Sequence, residues 1–419
     1  MLTINPVDCL TGSIEAPSSK SYTIRALMAA SLAEGEVVVH KPLVSDDTSS
    51  CFRVCEDLGA RISLHDDYLI VYGTAGQPTP KRVIDCGNSG TTMRLATAIA
   101  SVSNKNTSFK GDASLNKRPI SPLLEALNQM GVATQSTHGT PPHTVEGPLR
   151  GGGCSITGDV SSQFISALLF ACPCAKKNSE IKVRNPPKSR PYIDMTLDTL
   201  KSFQVYIENH DYLAFNVLGN QSYVCRQIKV EGDYSSAAFI LSAASLTEGV
   251  VEVGNLHINS LQADRKIVSI LRQMGASIEV AEEAVTVYGG DLKGIEVDLS
   301  NCPDLLPIVS VLGVYAEGET RIVNCEHARY KECDRIYAMA SELGKMGADV
   351  SEEKDGLTLR KSRLHGTQLN GFRDHRIVMA LAVAALRAEG ETKVTDDEYI
   401  NITYPEFKHH MTVLEAQLS

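Results

Sequence analysis

The 419-residue chain has no tryptophan, few other aromatics and no excess of positive charge, its formal net charge being -10 at pH 7. That charge argues against nucleic acid as the main partner, because binding a phosphate backbone needs a basic face. Long apolar runs are missing too. The longest stretches, "FISALLFAC" and "MALAVAAL", are too short to span a bilayer, and the N-terminal "MLTINPVDCLTGSIEAPSSK" lacks the basic start and apolar core of a signal peptide. Eleven cysteines are scattered without C-x-x-C knuckles, Cys51 with Cys55 and Cys172 with Cys174 being the only close pairs. No His/Cys quartet has zinc-ligand spacing, so reduced thiols in a cytoplasmic protein are expected. Any anionic ligand must then be held by cations placed locally.

What the chain does have is a repeat. A helix ending in Leu or Met, then a glycine and a strand-like run, recurs as "CEDLGARISL", "LEALNQMGVAT", "LRQMGASIEV" and "SELGKMGADVS", with Gly59, Gly131, Gly275 and Gly347 at the turn. A degenerate copy, "LDTLKSFQVYI", puts Gln204 at that place, so successive turns lie about 72 residues apart. A second marker with the same period is an apolar helix stopped at Glu-Gly before a β-branched strand, as in "LMAASLAEGEVVV" and "LAVAALRAEGETKV". One further step ends in "VLEAQLS", read as a last helix without its strand. Six units, each with two helices and several short strands, predict a mixed α/β class in two domains of three units. The expected division is residues 14–228 against 1–13 with 229–419, with crossovers near 12–20 and 226–234.

Several loops break the repeat with small polar and charged residues, always at a predicted helix start. "APSSKSYTIRALMAA" offers Lys20, Ser21 and Arg25; "CGNSGTTMRLATA" offers Gly90 and Arg94; "GDASLNKRPISPLLEAL" offers Arg118. "GDVSSQFISALLF" carries Ser161, Ser162 and Gln163, and "KSRPYIDMT" carries Ser189, Arg190 and Tyr192. Further on, "NCPDLLPIV" sets Asp304 before a buried helix, and "GFRDHRIVMALAVAAL" sets Asp374, His375 and Arg376 at the mouth of another. "YKECDRIYAMASELGKMGA" crowds Lys331, Glu332, Asp334 and Arg335 into what reads as the opening turn of a helix. There Glu332 with Arg335, and Lys331 with Asp334, form i,i+3 pairs. Each segment alone is as readily a cap as a site. Together they are more than a singly charged ligand needs, since helix N-termini and clustered cations suit phosphates and carboxylates.

In chain order, "SSKSYTIRAL", "GNSGTTMR", "KRPI", "SSQF", "SRPYIDMT", "VEGDYSSAAF", "YKECDRI" and "DHRIVMALAVAAL" resemble the motifs of the 5-enolpyruvylshikimate-3-phosphate synthase family, from about residue 12 to the C-terminus. The resemblance implies a two-domain inside-out α/β barrel built from six βαβαββ repeats. It implies transfer of the enolpyruvyl group of phosphoenolpyruvate to the 5-hydroxyl of shikimate 3-phosphate through a tetrahedral adduct, with loss of phosphate and with no metal or organic cofactor. No nucleic acid and no membrane are expected, and the enzyme is expected to be a cytoplasmic monomer.

Matched position by position, the resemblance assigns shikimate 3-phosphate to Lys20, Ser21, Arg25, Ser161, Ser162, Gln163, Ser189, Tyr192, Asp304, His327 and Lys331. It assigns phosphoenolpyruvate to Lys20, Gly90, Arg94, Arg118, Gln163, Arg335 and Arg376. Asp304 and Glu332 match the acid–base carboxylates, with Lys20 a third catalytic group. Two positions depart from the pattern. His327 stands where the family commonly has asparagine, and Ile402, in "EYINITYPEF", stands where it usually has a lysine that binds phosphoenolpyruvate. The sister enolpyruvyl transferase acting on UDP-N-acetylglucosamine typically has a cysteine acid where this chain has Ala113. A non-catalytic anion-binding relative is the remaining alternative.

Overall fold

The computed structural model describes all 419 residues, which divide into two compact units, Ser18–Val230 and Met1–Pro17 with Glu231–Ser419. The first division falls later than residue 14 because Gly12–Glu15 is a strand paired in parallel with Val250–Gly254, which ties it to the C-terminal part of the chain.

Each unit holds three four-stranded sheets of one design. In the 18–230 unit, for example, strand Glu36–His40 pairs in parallel with Gln227–Lys229 and antiparallel with Tyr68–Tyr72, which pairs antiparallel with Arg61–Leu64. The final sheet is completed by the two ends of the chain. Leu2–Asn5 lies between Thr392–Val394 and Gln417–Leu418, antiparallel to both. The C-terminal "VLEAQLS" is therefore not a helix without its strand: the helix is Phe407–Val413, and Gln417–Leu418 is itself a strand, paired with the N-terminal one.

Helices divide into two kinds. Those at Lys20–Leu32, Gly90–Ala100 and Ser162–Ala171 in one unit, and Tyr234–Leu246, Leu306–Tyr315 and His375–Ala385 in the other, are apolar or small-residue beyond their first turns and buried along nearly their whole length. A helix with no polar face must sit inside. Strands such as Glu36–His40 and Ala284–Tyr288 bury alternate residues, the signature of a sheet with one face toward water. Each unit thus places its apolar helices at the centre and its sheets outside, the inside-out arrangement. The other helices, among them Asp46–Asp57 and Arg335–Lys345, are amphipathic and bury one side.

The repeat period is a backbone device. Gly59, Gly131, Gly275 and Gly347 all have positive φ, between 88 and 108°, where an amphipathic helix ends and its hairpin begins. Gln204 and Glu415 take the same left-handed conformation at φ 60° and 73° in the two units that lack the glycine. The turn is thus imposed by the surrounding sheet and helix even where the residue type disfavours it.

Candidate active site

In the 18–230 unit the predicted residues lie at the starts of the three inner helices and in the loops facing them. Ser19 caps the first, so Lys20 and Ser21 open its first turn. The Lys20 ammonium is held by Asp47 at 2.9 Å, both side chains being largely buried. Asp47 belongs to "SDDTSS", which reads as an ordinary acidic helix start, so the sequence carried no signal for this role. Arg25 is 1% exposed. Its Nε donates to Thr196 Oγ1 at 2.9 Å, Nη1 to the Ser21 carbonyl at 3.0 Å and Nη2 to the Tyr192 carbonyl at 2.9 Å. Burial pushes its pKa down to about 10, which still leaves it charged at neutral pH.

The second inner helix begins at Gly90 behind the Gly87 turn. A Cβ at Gly90 would lie 2.7 Å from Arg94 Nη1 and 3.0 Å from Arg118 Nη1, so the missing side chain is what lets two guanidinium groups close over the helix start. Arg94 Nη1 donates to Gln163 Oε1 at 2.8 Å, and Gln163 Nε2 donates to Thr91 Oγ1 at 2.8 Å. Arg118 reaches Asn88 and Ser114 at 3.3 Å each. Ser161 caps the third inner helix. Ser189, the N-cap residue of the Arg190–Ser202 helix, has φ 56°, a left-handed conformation uncommon for serine. The structure thus gathers Gly90, Arg94, Arg118 and Gln163 into one cluster, and Ser21, Arg25, Tyr192 and Thr196 into another. Thr196 was not expected; it donates to Ser166 Oγ at 2.8 Å while accepting from Arg25.

The other unit centres on Arg335, which is 1% exposed. Its Nη1 donates to Asp304 at 2.7 Å, its Nη2 to Glu332 at 2.7 Å, and its Nε and Nη2 to Asp374 at 2.8 and 3.2 Å. Lys331 at 3.3 Å and Arg376 at 3.5 Å complete the cations around Asp304. His327 is buried in the preceding turn, Glu326–Tyr330.

The helix read at 331–335 starts later than expected. Asp334 is its N-cap, accepting from the Tyr337 N–H, and Arg335 is its first residue. Lys331 and Glu332 belong to the loop before it. The Glu332–Arg335 pair forms, but Lys331 turns to Asp304, and Asp334 is taken by Arg329 at 2.8 Å. Capping commits Asp334 to the backbone, which leaves Lys331 free to reach the neighbouring turn.

Ile402 ends the Asp397–Ile402 turn, is 6% exposed and lies outside the unit's contiguous apolar core. Lys408 does not take over there, since its ammonium pairs with Asp397 at 2.5 Å.

Six sheets of one design, with cations gathered over helix starts and three carboxylates sharing one buried arginine, fit an enolpyruvyl transferase. The EPSP synthase (3-phosphoshikimate 1-carboxyvinyltransferase) family model matches residues 4–411. The chain is 47% identical to the 3-phosphoshikimate 1-carboxyvinyltransferase of Methanococcoides burtonii, over 97% of this chain and 96% of that one. It is 44% identical to that of Methanocaldococcus jannaschii, over 100% and 99%. A solved EPSP synthase from Acinetobacter baumannii superposes with a TM-score of 0.83 at 28% identity, over 100% of this chain and 99% of that one. The chain belongs to the EPSP synthase family, and its activity is the shikimate-pathway enolpyruvyl transfer. The alternative with UDP-N-acetylglucosamine is not favoured. No helix is long and apolar enough to cross a membrane.

Proposed function

We propose that Asp304 and Glu332 carry the proton transfers of the reaction, and that the cationic clusters hold the two anionic substrates. The observation that carries this reading is that one buried guanidinium, Arg335, binds both carboxylates at 2.7 Å while Lys331 at 3.3 Å and Arg376 at 3.5 Å add further positive charge at Asp304. Two carboxylates in different electrostatic settings are what the chemistry needs. Asp304 takes the proton of the 5-hydroxyl as its oxygen bonds to C2 of the enolpyruvyl group. Glu332 delivers a proton to the C3 methylene, giving the tetrahedral adduct. In the elimination Glu332, now ionised, takes a proton back from the C3 methyl as the C2–O bond to phosphate breaks, the C2=C3 double bond re-forms and phosphate leaves.

Shikimate 3-phosphate is held by Lys20, Ser21, Arg25, Ser161, Ser162, Gln163, Ser189, Tyr192, Asp304, His327 and Lys331. Phosphoenolpyruvate is held by Lys20, Gly90, Arg94, Arg118, Gln163, Arg335 and Arg376. In support, Ser21 and Arg25 share one helix start, and the Gly90 opening brings Arg94 and Arg118 together. Lys20, fixed by Asp47, serves both substrates and stabilises developing charge. All eleven cysteines are free thiols, which supports a cytoplasmic setting, and one chain supplies every group named, which supports a monomer.

The test is phosphate release with both substrates. Arg25→Ala is expected to raise KM mainly for shikimate 3-phosphate and Arg118→Ala mainly for phosphoenolpyruvate, each by roughly tenfold to a hundredfold, because a charge-assisted contact is worth about 1.5–3 kcal/mol. Equal effects of either change on both substrates would show the subsites wrongly drawn.

Ile402 removes one positive charge from the phosphoenolpyruvate subsite on this reading. Ile402→Lys is expected to tighten phosphoenolpyruvate and glyphosate, which competes for that subsite in the family, by about tenfold or more. Titration of both ligands against both proteins decides it, unchanged or weaker binding counting against the alignment of Ile402 with the lysine.

A further inference from the structure

A further buried carboxylate, on a turn that packs against the same inner helix as the Asp304 turn, has no role in the reading so far. Asp264 lies in the Ala263–Arg265 turn that opens the Lys266–Gln273 helix, and it is 1% exposed. One of its oxygens, Oδ2, accepts from the Ser235 hydroxyl, while Oδ1 is buried with no hydrogen-bond partner. Its turn and the Asp304 turn, Pro303–Leu305, both pack against the inner helix Tyr234–Leu246. A buried, half-satisfied carboxyl costs stability.

We propose that Asp264 is a positioning residue for proton transfer at Asp304: its buried charge, held by Ser235, acts on the Asp304 carboxylate without touching substrate. This rests on the reading of Asp304 as the base. Burial first, and then the negative charge of Asp304, push the Asp264 pKa up to about 6, with Asp233 adding to the rise and Arg376 and the Ser235 hydroxyl opposing it. Coupling of this kind is mutual. An ionised Asp264 makes Asp304 a better proton acceptor and stabilises it once it has taken the proton of the 5-hydroxyl. When Asp264 is protonated, Lys331, Arg335 and Arg376 dominate the field at Asp304 and lower its basicity, so that it takes the hydroxyl proton less readily. The Cys302 thiol, next to the Asp304 turn, feels Asp264 too and is pushed up in pKa, mainly by its own burial, so it stays neutral. Arg265 and Lys266, on the Asp264 element itself, are engaged with the Ile258 and Asp298 carbonyls.

Two variants move the system in opposite directions. The reading is the pH profile of single-turnover phosphate release, so that product release does not mask proton transfer. In Asp264→Asn the acid limb is expected to move down by about one pH unit, and the plateau to fall by about tenfold, short of the 10²–10⁴ that loss of the base itself would cost. In Ser235→Ala the charged form of Asp264 loses its hydrogen-bond donor, so the limb moves up. Shikimate 3-phosphate affinity and the thermal midpoint report whether each variant is folded, and Ser235→Ala, a small truncation, keeps the question open to test if Asp264→Asn does not fold. Folded variants with the wild-type profile, or limbs that move the same way, overturn the proposal. Asp304→Asn separates the two readings. If it abolishes turnover while Asp264→Asn leaves the profile unchanged, the role of Asp264 alone fails; if Asp304→Asn turns over normally, the base assignment fails.

Discussion

Glu332→Gln and Asp304→Asn are each expected to lower turnover by about 10² to 10⁴ while leaving shikimate 3-phosphate affinity close to normal. Positioned proton transfer typically supplies a factor of that size. Both replacements keep an oxygen that can accept from Arg335, so the loss reports chemistry more than geometry. The two differ in what they leave behind. Glu332→Gln removes one of three carboxylates on Arg335, whereas Asp304→Asn also strips Lys331 and Arg376 of their shared anion. Asp304→Asn therefore leaves a more positive subsite, and phosphoenolpyruvate should bind it no more weakly than it binds wild type. Single-turnover phosphate release, with isotherms for each substrate, is the measurement. Turnover within a few-fold of wild type in both variants would remove the acid–base assignment.

Asp374→Ala is expected to cost the unit Met1–Pro17 with Glu231–Ser419 about 3–5 kcal/mol, because removing one partner of a buried ion pair leaves the other charge uncompensated. Asp374 is fully buried, binds Arg335 through both oxygens and caps the His375–Ala385 helix by accepting from the Arg376 N–H at 2.9 Å. The lost cap contributes about 1 kcal/mol of that. Glu332 and Asp304 remain on Arg335, but both are more exposed than Asp374 and neither reaches Nε. Asp374→Asn keeps a capping oxygen and should cost less. A protein of two units need not unfold in one step, so calorimetric transitions rather than a single extrapolated free energy should be compared. A shift matching less than about 1 kcal/mol would mean that Arg335 is compensated without Asp374.

Much of this was legible in one dimension, for definite reasons. The period shows because every unit needs a left-handed turn after its outer helix, and glycine is the residue that adopts it most easily. The apolar helices show because a helix buried on all sides carries no charge beyond its first turns, where Arg25, Arg94 and Arg376 sit. The polar loops stand out because they interrupt those helices at their N-termini, the one place where free N–H groups welcome an anion. Asp334 shows where such reading fails. Four charges in five residues look like one helical turn, and only the cap at Asp334 reveals that Lys331 and Glu332 precede the helix.

By itself the sequence determined the six units, their α/β class, and the motifs that carry the family's chemistry, since each depends on residue type and local spacing. Only the tertiary structure decided which charges meet. Asp374 with Arg335 and Asp47 with Lys20 are pairings across elements 39 and 27 residues apart in the chain, and no local pattern encodes them. The same holds for the chain ends. Leu2–Asn5 and Gln417–Leu418 are too short to declare their partners, and they become strands of one sheet because each satisfies the other's backbone hydrogen bonds.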